Sequence, residues 1–235
     1  MKSVFLSMAI IAITICSFAQ NQTGVTDDIR NFALANNRFN TATITTFSNA
    51  KIKGNQYLVD QWSPGSVTTT DNITFSKNYL FNFDKIHHDL YAKFTDQPDL
   101  SIILDKVRLK SFSIGNMNFI NSGLIDPNAK DVFYQVLVKD SAKVTLYKFN
   151  KTKFVKADPT NLMNIKTNNF SSEYVDNPTY YISISNGELK KVNLSENSIR
   201  KVLKEKSKQL DSYFSMNNKE VDESLLIDVV DYVNQ

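Results

Sequence analysis

Residues 53–94 read KGNQYLVDQWSPGSVTTTDNITFSKNYLFNFDKIHHDLYAKF, and their spacing sets the expected fold. Tyr79, Phe81 and Phe83 alternate with Leu80, Asn82 and Asp84, which puts three rings on one face of a strand. Leu90, Ala92 and Phe94 alternate with Asp89, Tyr91 and Lys93 in the next run. Antiparallel pairing of the two would set the rings beside an apolar face and build one wall of a core. Upstream, Ser63-Pro64-Gly65 reads as a turn, because proline presets φ and glycine accepts positive φ. Ser66 to Thr70 is rich in β-branched residues, Asp71-Asn72 is a polar corner, and Ile73 to Phe75 starts a return strand; a hairpin is expected.

Outward from this stretch the text stays β. Thr95 to Asp99 is a turn, and Ser101 to Leu104, Val107 to Ile114 and Asn118 to Ile120 read as strands. Within Val107 to Ile114 the apolar phase shifts from Val107 and Leu109 to Phe112 and Ile114, the signature of a bulge. Asp126-Pro127-Asn128 is another turn. Val132, Tyr134, Val136 and Val138 share one face and Phe133 and Leu137 the other, so this strand should be central. Lys139 to Ala142 turns the chain into Val144 to Phe149. Residues 150–177 form a polar excursion with one strand near Phe154. Tyr180 to Ser183 and Glu188 to Val192 pair across Ser185-Asn186-Gly187, where Asn-Gly is the strongest turn signal in the chain.

The last segment changes period. Ser195 can cap a helix, and Ile199, Val202, Leu203, Leu210, Tyr213 and Phe214 follow helical spacing with Lys206 in the apolar phase. That is one helix with a polar notch or two short ones. Asp222 caps a further helix with Leu225, Leu226, Val229, Val230 and Val233 on one face. The first stretch is basic and the second acidic, which favours an antiparallel pair, although exposed ion pairs stabilise by only ~0–1 kcal/mol each. The expected class is α+β, mostly antiparallel β: a meander or partly closed sheet (41–194) followed by a C-terminal helical hairpin (195–235).

Residues 1–19 read as a signal peptide: Lys2, an apolar run from Val4 to Ile15, and Ser17-Phe18-Ala19 before the cut. Cys16 raises a lipoprotein alternative, but Ile15 stands where lipid attachment wants a small residue. Cleavage after Ala19 removes the only cysteine, and with it disulfides, thiolate metal sites and cysteine nucleophiles. Loss of Lys2 lowers the net charge from +3 to +2, too little to suggest nucleic acid. No second long apolar run follows, and the expected strands look shorter than the ~9–11 residues a membrane barrel needs, so the mature chain is not expected to be an integral membrane protein. Residues 20–40 are a lead-in, flexible or carrying a short helix capped by Asp27 or Asp28 that presents Ile29, Phe32 and Ala33. Thr41 to Phe47 is the expected first strand.

Gly54 through Leu58, Trp62, Pro64 to Val67, Phe83-Asp84 and His88 to Tyr91 resemble a family of exported Bacteroidetes proteins of unknown function. In that family a Gly-x-x-Tyr-Leu element precedes a strand meander. Phe133 to Leu137, Val144 to Lys148, Tyr180 to Ile182, Asn186 to Leu189 and the tail ending Asp231 to Asn234 extend the similarity over most of the mature chain. The resemblance implies a shared fold and export, and transfers no catalytic residue.

Chemistry-bearing patterns are few. His87-His88 holds both imidazoles, and adjacent strand residues point to opposite faces, so the pair cannot grip one metal ion; no further His or Cys completes a zinc set. Asp84, Asp89 and His88 suit acid–base work in principle, but carboxylates at a hairpin corner serve turns. Ser48 to Lys51 and Ser198 to Lys201 match a serine–lysine spacing without its companion elements, and no phosphate-cradling glycine loop exists. No metal and no cofactor are expected. The remaining clue is aromatic: Tyr57, Trp62 and Tyr91 are the candidate contacts for a ligand or partner, Trp62 foremost, with core packing as the other reading. The expected function is an exported, non-enzymatic protein of the cell envelope that contacts an envelope protein or a surface ligand through its sheet. The alternatives are a carrier of a small apolar ligand and a hydrolase with an unrecognised carboxylate site.

Overall fold

The computed structural model describes residues 28–33, 52–126, 132–140, 143–157 and 171–235. The expected signal segment, the strand expected at 41–47, positions 127–128 of the expected corner and the Ser48 to Lys51 motif lie outside them. The strands among the described residues are β1 (Ile52–Lys53), β2 (Ser63–Thr69), β3 (Thr74–Phe75), β4 (Tyr79–Asp84), β5 (Asp89–Phe94), β6 (Ser101–Ile103), β7 (Leu109–Ile114), β8 (Met117–Asn121), β9 (Phe133–Val138), β10 (Val144–Phe149), β11 (Thr152–Val155), β12 (Ser172–Asp176), β13 (Thr179–Ile184) and β14 (Lys190–Val192). The α-helices among the described residues are α1 (Glu196–Val202), α2 (Ser207–Met216) and α3 (Glu223–Val233). None of the described helices is long and apolar enough to cross a membrane.

Eleven strands make one open sheet in the order β14-β13-β10-β9-β8-β7-β2-β4-β5-β6, with β3 paired to β2. Every neighbour in it is antiparallel. The expected wall is there: Tyr79 pairs with Phe94, Phe81 with Ala92 and Phe83 with Leu90. Phe81, Phe83, Leu90 and Ala92 are fully buried, which stabilises by about 1.5–3 kcal/mol for each large side chain. Val67 pairs with Phe75, closing the expected β2–β3 hairpin, and Asn72 at its corner has φ 63°.

Ser63-Pro64-Gly65 is a correction: these residues are not a turn but the first part of β2. Ser63 and Pro64 pair with β4, whereas Gly65 to Thr69 pair with β7, so β2 is the strand at which the sheet divides. Gly65 is needed for proximity: a Cβ there would stand 2.0 Å from the Ser113 carbonyl oxygen and 3.2 Å from the Phe81 ring. Local turn chemistry was overridden by the need to bring two backbones together.

Register fixes which face each residue takes. Val67, Phe112 and Phe119 are successive partners, Leu146 pairs with Ile182, and Phe133 and Val192 stand two residues from the partners of Phe119 and Ile182, so all seven lie on one side of the sheet. The β4–β5–β6 blade and the 3-10 turn Ile29–Phe32 cover half of that side; the helices cover the other half. Asp28 caps the turn, accepting the Arg30 N–H at 2.9 Å. The bulge expected in the strand after Val107 is at Lys110, because Thr68 pairs with Ser111 and Thr69 with Leu109. Val107 itself leaves the strand for a 3-10 turn and is exposed.

A second shift corrects the reading of β9. Leu146 pairs with Val138 but Tyr147 with Val136, so Leu137 is the extra residue and Val136 and Val138 take opposite faces. The strand is central, as expected, between β8 and β10. The polar excursion holds more structure than one strand: β11 pairs with β12, and β1 adds in parallel on the far side of β12. This small sheet is tied to the β4–β5 corner by Lys85, whose amine sits 2.8 and 3.0 Å from the Asp176 carboxylate. Burial would raise the Asp176 pKa, but the Lys85 and Thr152 hydrogen bonds and the nearby lysines outweigh it and lower it.

In the tail, Ser195 caps α1 and Asp222 caps α3, as the spacing requires. The notch at Lys206 ends a 3-10 turn, Lys204–Lys206, that separates α1 from α2. Packing rather than charge joins the tail to the sheet: Leu225, Leu226, Val229, Val230 and Val233 are buried with Val144, Leu146 and Ile182. Among the described residues the ion pairs of this region are Arg200–Glu196, Arg200–Asp211 and Lys148–Glu223, none of them between the basic and acidic helices.

Candidate binding face

The side of the large sheet opposite its core carries hydroxyls. Ser66, Ser111 and Ser113 alternate with Val67, Phe112 and Ile114, and Asn118 pairs with both Ser113 and Val136. Thr145 and Ser183 continue the row across β10 and β13. Together they line a groove of about 920 Å³, floored by Ile120, Val136 and the Tyr147 ring and bordered by Leu124 and Ile125. Ser66 and Ser113 Oγ lie 2.9 Å apart, and Ser113 Oγ accepts the Ser66 N–H at 3.0 Å. Ser183 Oγ donates to the Gly187 carbonyl at 2.7 Å.

The charge of the groove is one-sided. Lys110 and Lys139 are its only charged lining residues among those described, and both are exposed. Lys110 donates to Asn72 Oδ1 at 2.8 Å, and neither amine has a carboxylate partner among the described residues. Hydroxyls both donate and accept, so the row offers a polar ligand many alternative hydrogen bonds. Next to it Tyr134 packs on Tyr147 and Tyr181, with ring centres 6.3 and 5.3 Å away. Burial, then the neighbouring Tyr181, pushes the Tyr134 phenol up to about 12, so it stays a neutral donor.

The three aromatic candidates lie on the β4–β5 blade instead. Tyr57 and Tyr91 come together edge to face at 6.1 Å, and Trp62 stands apart, with the Lys93 amine 5.7 Å from its ring centre. All three are half-buried. Tyr57 bridges to Asp84, and Asn82 grips the same segment: its amide donates to the Val59 carbonyl at 3.0 Å and its oxygen accepts the Val59 N–H at 3.4 Å. Burial raises both tyrosine pKa values, with the Asp84 charge adding to it, so the phenols are packing groups.

His87 and His88 are in a tight turn, not a strand. Asp84 is buried and accepts the N–H groups of Ile86 and His87 at 2.7 and 3.1 Å and the His87 ring at 2.8 Å, which makes it the turn's organiser. Asp89 pairs with Lys106 at 2.8 Å. His88 is left-handed (φ 57°), buried, and stacked on Phe149 at 4.6 Å. Among the described residues no three His, Cys, Asp or Glu side chains gather as a metal site. Ser198 serves the cap of α1, its Oγ accepting the Asn193 N–H at 2.9 Å.

Sequence reading missed the groove residues. The signal was present in Leu109 to Ile114, where serine alternates with apolar residues, but it is also how any half-solvated strand reads. Comparison of the chain with protein-family models, with curated proteins and with solved structures finds no match.

Proposed function

We propose that the chain is an exported, non-enzymatic binding protein of the cell envelope that takes a polar surface ligand on the open face of its sheet. The observation that carries this reading is the groove of about 920 Å³, which lies on the sheet face opposite the one that the blade and the described helices cover. Its size suits a ligand of several rings or residues. Its lining mixes the hydroxyl and amide row with Ile120, Leu124, Ile125, Val136 and Tyr147, and it is the row of hydrogen-bonding groups that favours a ligand with polar groups over the purely apolar cargo of a carrier. The buried Asp84 spends its oxygens on the turn, which argues against a carboxylate hydrolase at that corner. Export is supported by the Lys2, Val4 to Ile15 and Ala19 pattern.

The test has two arms. Fractionation of expressing cells, with N-terminal sequencing, should recover the protein outside the cytoplasm starting at Gln20; a cytoplasmic chain with residues 1–19 intact would overturn export. Soluble envelope glycans and peptides are then screened against the wild type and Ser111→Trp, which fills the groove from β7. Binding that vanishes in the variant while its melting temperature holds supports the site; binding that survives Ser111→Trp overturns it.

A further inference from the structure

We propose that the surface formed by β14 and α1 is a docking face for an anionic phospholipid membrane. Charge is concentrated there. Residues 190–208 contain seven Lys or Arg and two Glu, a net +5, while the whole chain is +3, so everything else sums to −2. Three of these seven cations gather at one place in the fold. Lys190, Lys191 and Lys201 line one depression of about 370 Å³ with Asn193, Ser198 and Val202, and no carboxylate lines it among the described residues.

The three amines are free to act. Lys190, Lys191 and Lys201 are exposed, and none has an ion-pair partner among the described residues. Arg200, by contrast, is neutralised by Glu196 and Asp211 at 2.7 and 2.6 Å. The depression therefore presents uncompensated positive charge, which phosphate head groups complement. An apolar residue lies in the same loop: Leu194, between β14 and α1, is 39% exposed. Leu194 stands three residues after Lys191, and an exposed leucine in a loop near unpaired lysines can place an apolar tip among head groups while the amines meet phosphate. An acidic protein would complement the lysines but gives no reason to leave Leu194 uncovered. The inference does not rest on the groove.

The experiment uses the chain from Gln20 onward, which contains every described residue, and co-sedimentation with vesicles of phosphatidylcholine, with or without one third phosphatidylglycerol. Binding is expected only to the anionic vesicles and should fall steeply with added salt. Each lysine near the surface contributes roughly fivefold in partitioning, so Lys190→Gln/Lys191→Gln/Lys201→Gln should bind on the order of a hundredfold more weakly. Lys77→Gln/Lys153→Gln/Lys219→Gln removes the same charge from exposed positions elsewhere and should lose far less. Leu194→Ser should weaken binding with no change in salt dependence. Equal binding to neutral vesicles, equal loss in both triple variants, or retention on immobilised polyglutamate with none on vesicles would each overturn the proposal. Circular dichroism of all variants separates lost docking from lost folding.

Discussion

Replacing His88 by asparagine should flatten the acid side of the protein's stability profile. The imidazole is enclosed by the Phe149 ring, stacked at 4.6 Å, and the Phe83 ring, edge-on at 5.7 Å, and its Nδ1 has no hydrogen-bond partner among the described residues. Burial, with help from Lys106 and Lys151 and against Asp84 and Asp89, lowers its pKa from 6.5 to about 4. Because the folded value lies below the unfolded one, the contribution to stability is complete above pH 6.5 and is lost as pH falls through 4. A shift of that size corresponds to about 3 kcal/mol, of which about 2 kcal/mol is gone by pH 5. Asparagine tolerates the left-handed backbone at φ 57° and cannot titrate. It also loses the stack on Phe149, a cost independent of pH, so the readout is slope rather than height. Urea unfolding from pH 7 to pH 4 should show the wild type losing about 3 kcal/mol more than His88→Asn. Parallel curves would mean that His88 titrates alike in the folded and unfolded chain, and the account of its burial would be wrong.

Two substitutions test how the sheet divides and how its strap is held. Gly65→Ala must push β2 away from the Ser113 carbonyl, 2.0 Å from the added carbon, and should cost about 2–3 kcal/mol in urea unfolding; a loss below about 0.5 kcal/mol would deny the close approach. Asn82→Ala strips partners from both backbone groups of half-buried Val59 and should cost about 1–3 kcal/mol. Hydrogen exchange should then accelerate at residues 57–62 and not in β7 to β9; unchanged rates there would show that Asn82 does not hold the segment.

Alternation and capping are local properties, and where they governed, reading was sufficient. Tyr79 to Phe94 could only form a pair of strands with Phe81, Phe83, Leu90 and Ala92 inward, because period two leaves no other apolar face. Ser195 and Asp222 are placed to start the first and last helices of the tail, and they do. The phase slip before Phe112 announced a bulge that register places at Lys110. At Ser185 and Asn186 even the hairpin was legible while its detail was not: those two residues take the positive φ values (50° and 56°), and Gly187 accepts no such role.

Whatever depends on a distant strand was hidden. Pro64-Gly65 carries turn residues, yet Ser113, far along the chain, needs an absent Cβ there and makes the pair part of β2. Val136 and Val138 look equivalent until β10 pairs with them out of step and sends one to the groove and one to the core. The sequence by itself determined which residues alternate, which cap and where charge accumulates, since those follow from spacing along a single chain. That blade and helices share the cover of one face, while the groove lies on the other with no described helix over it, came from the fold alone, because coverage is a relation between segments that no local pattern encodes.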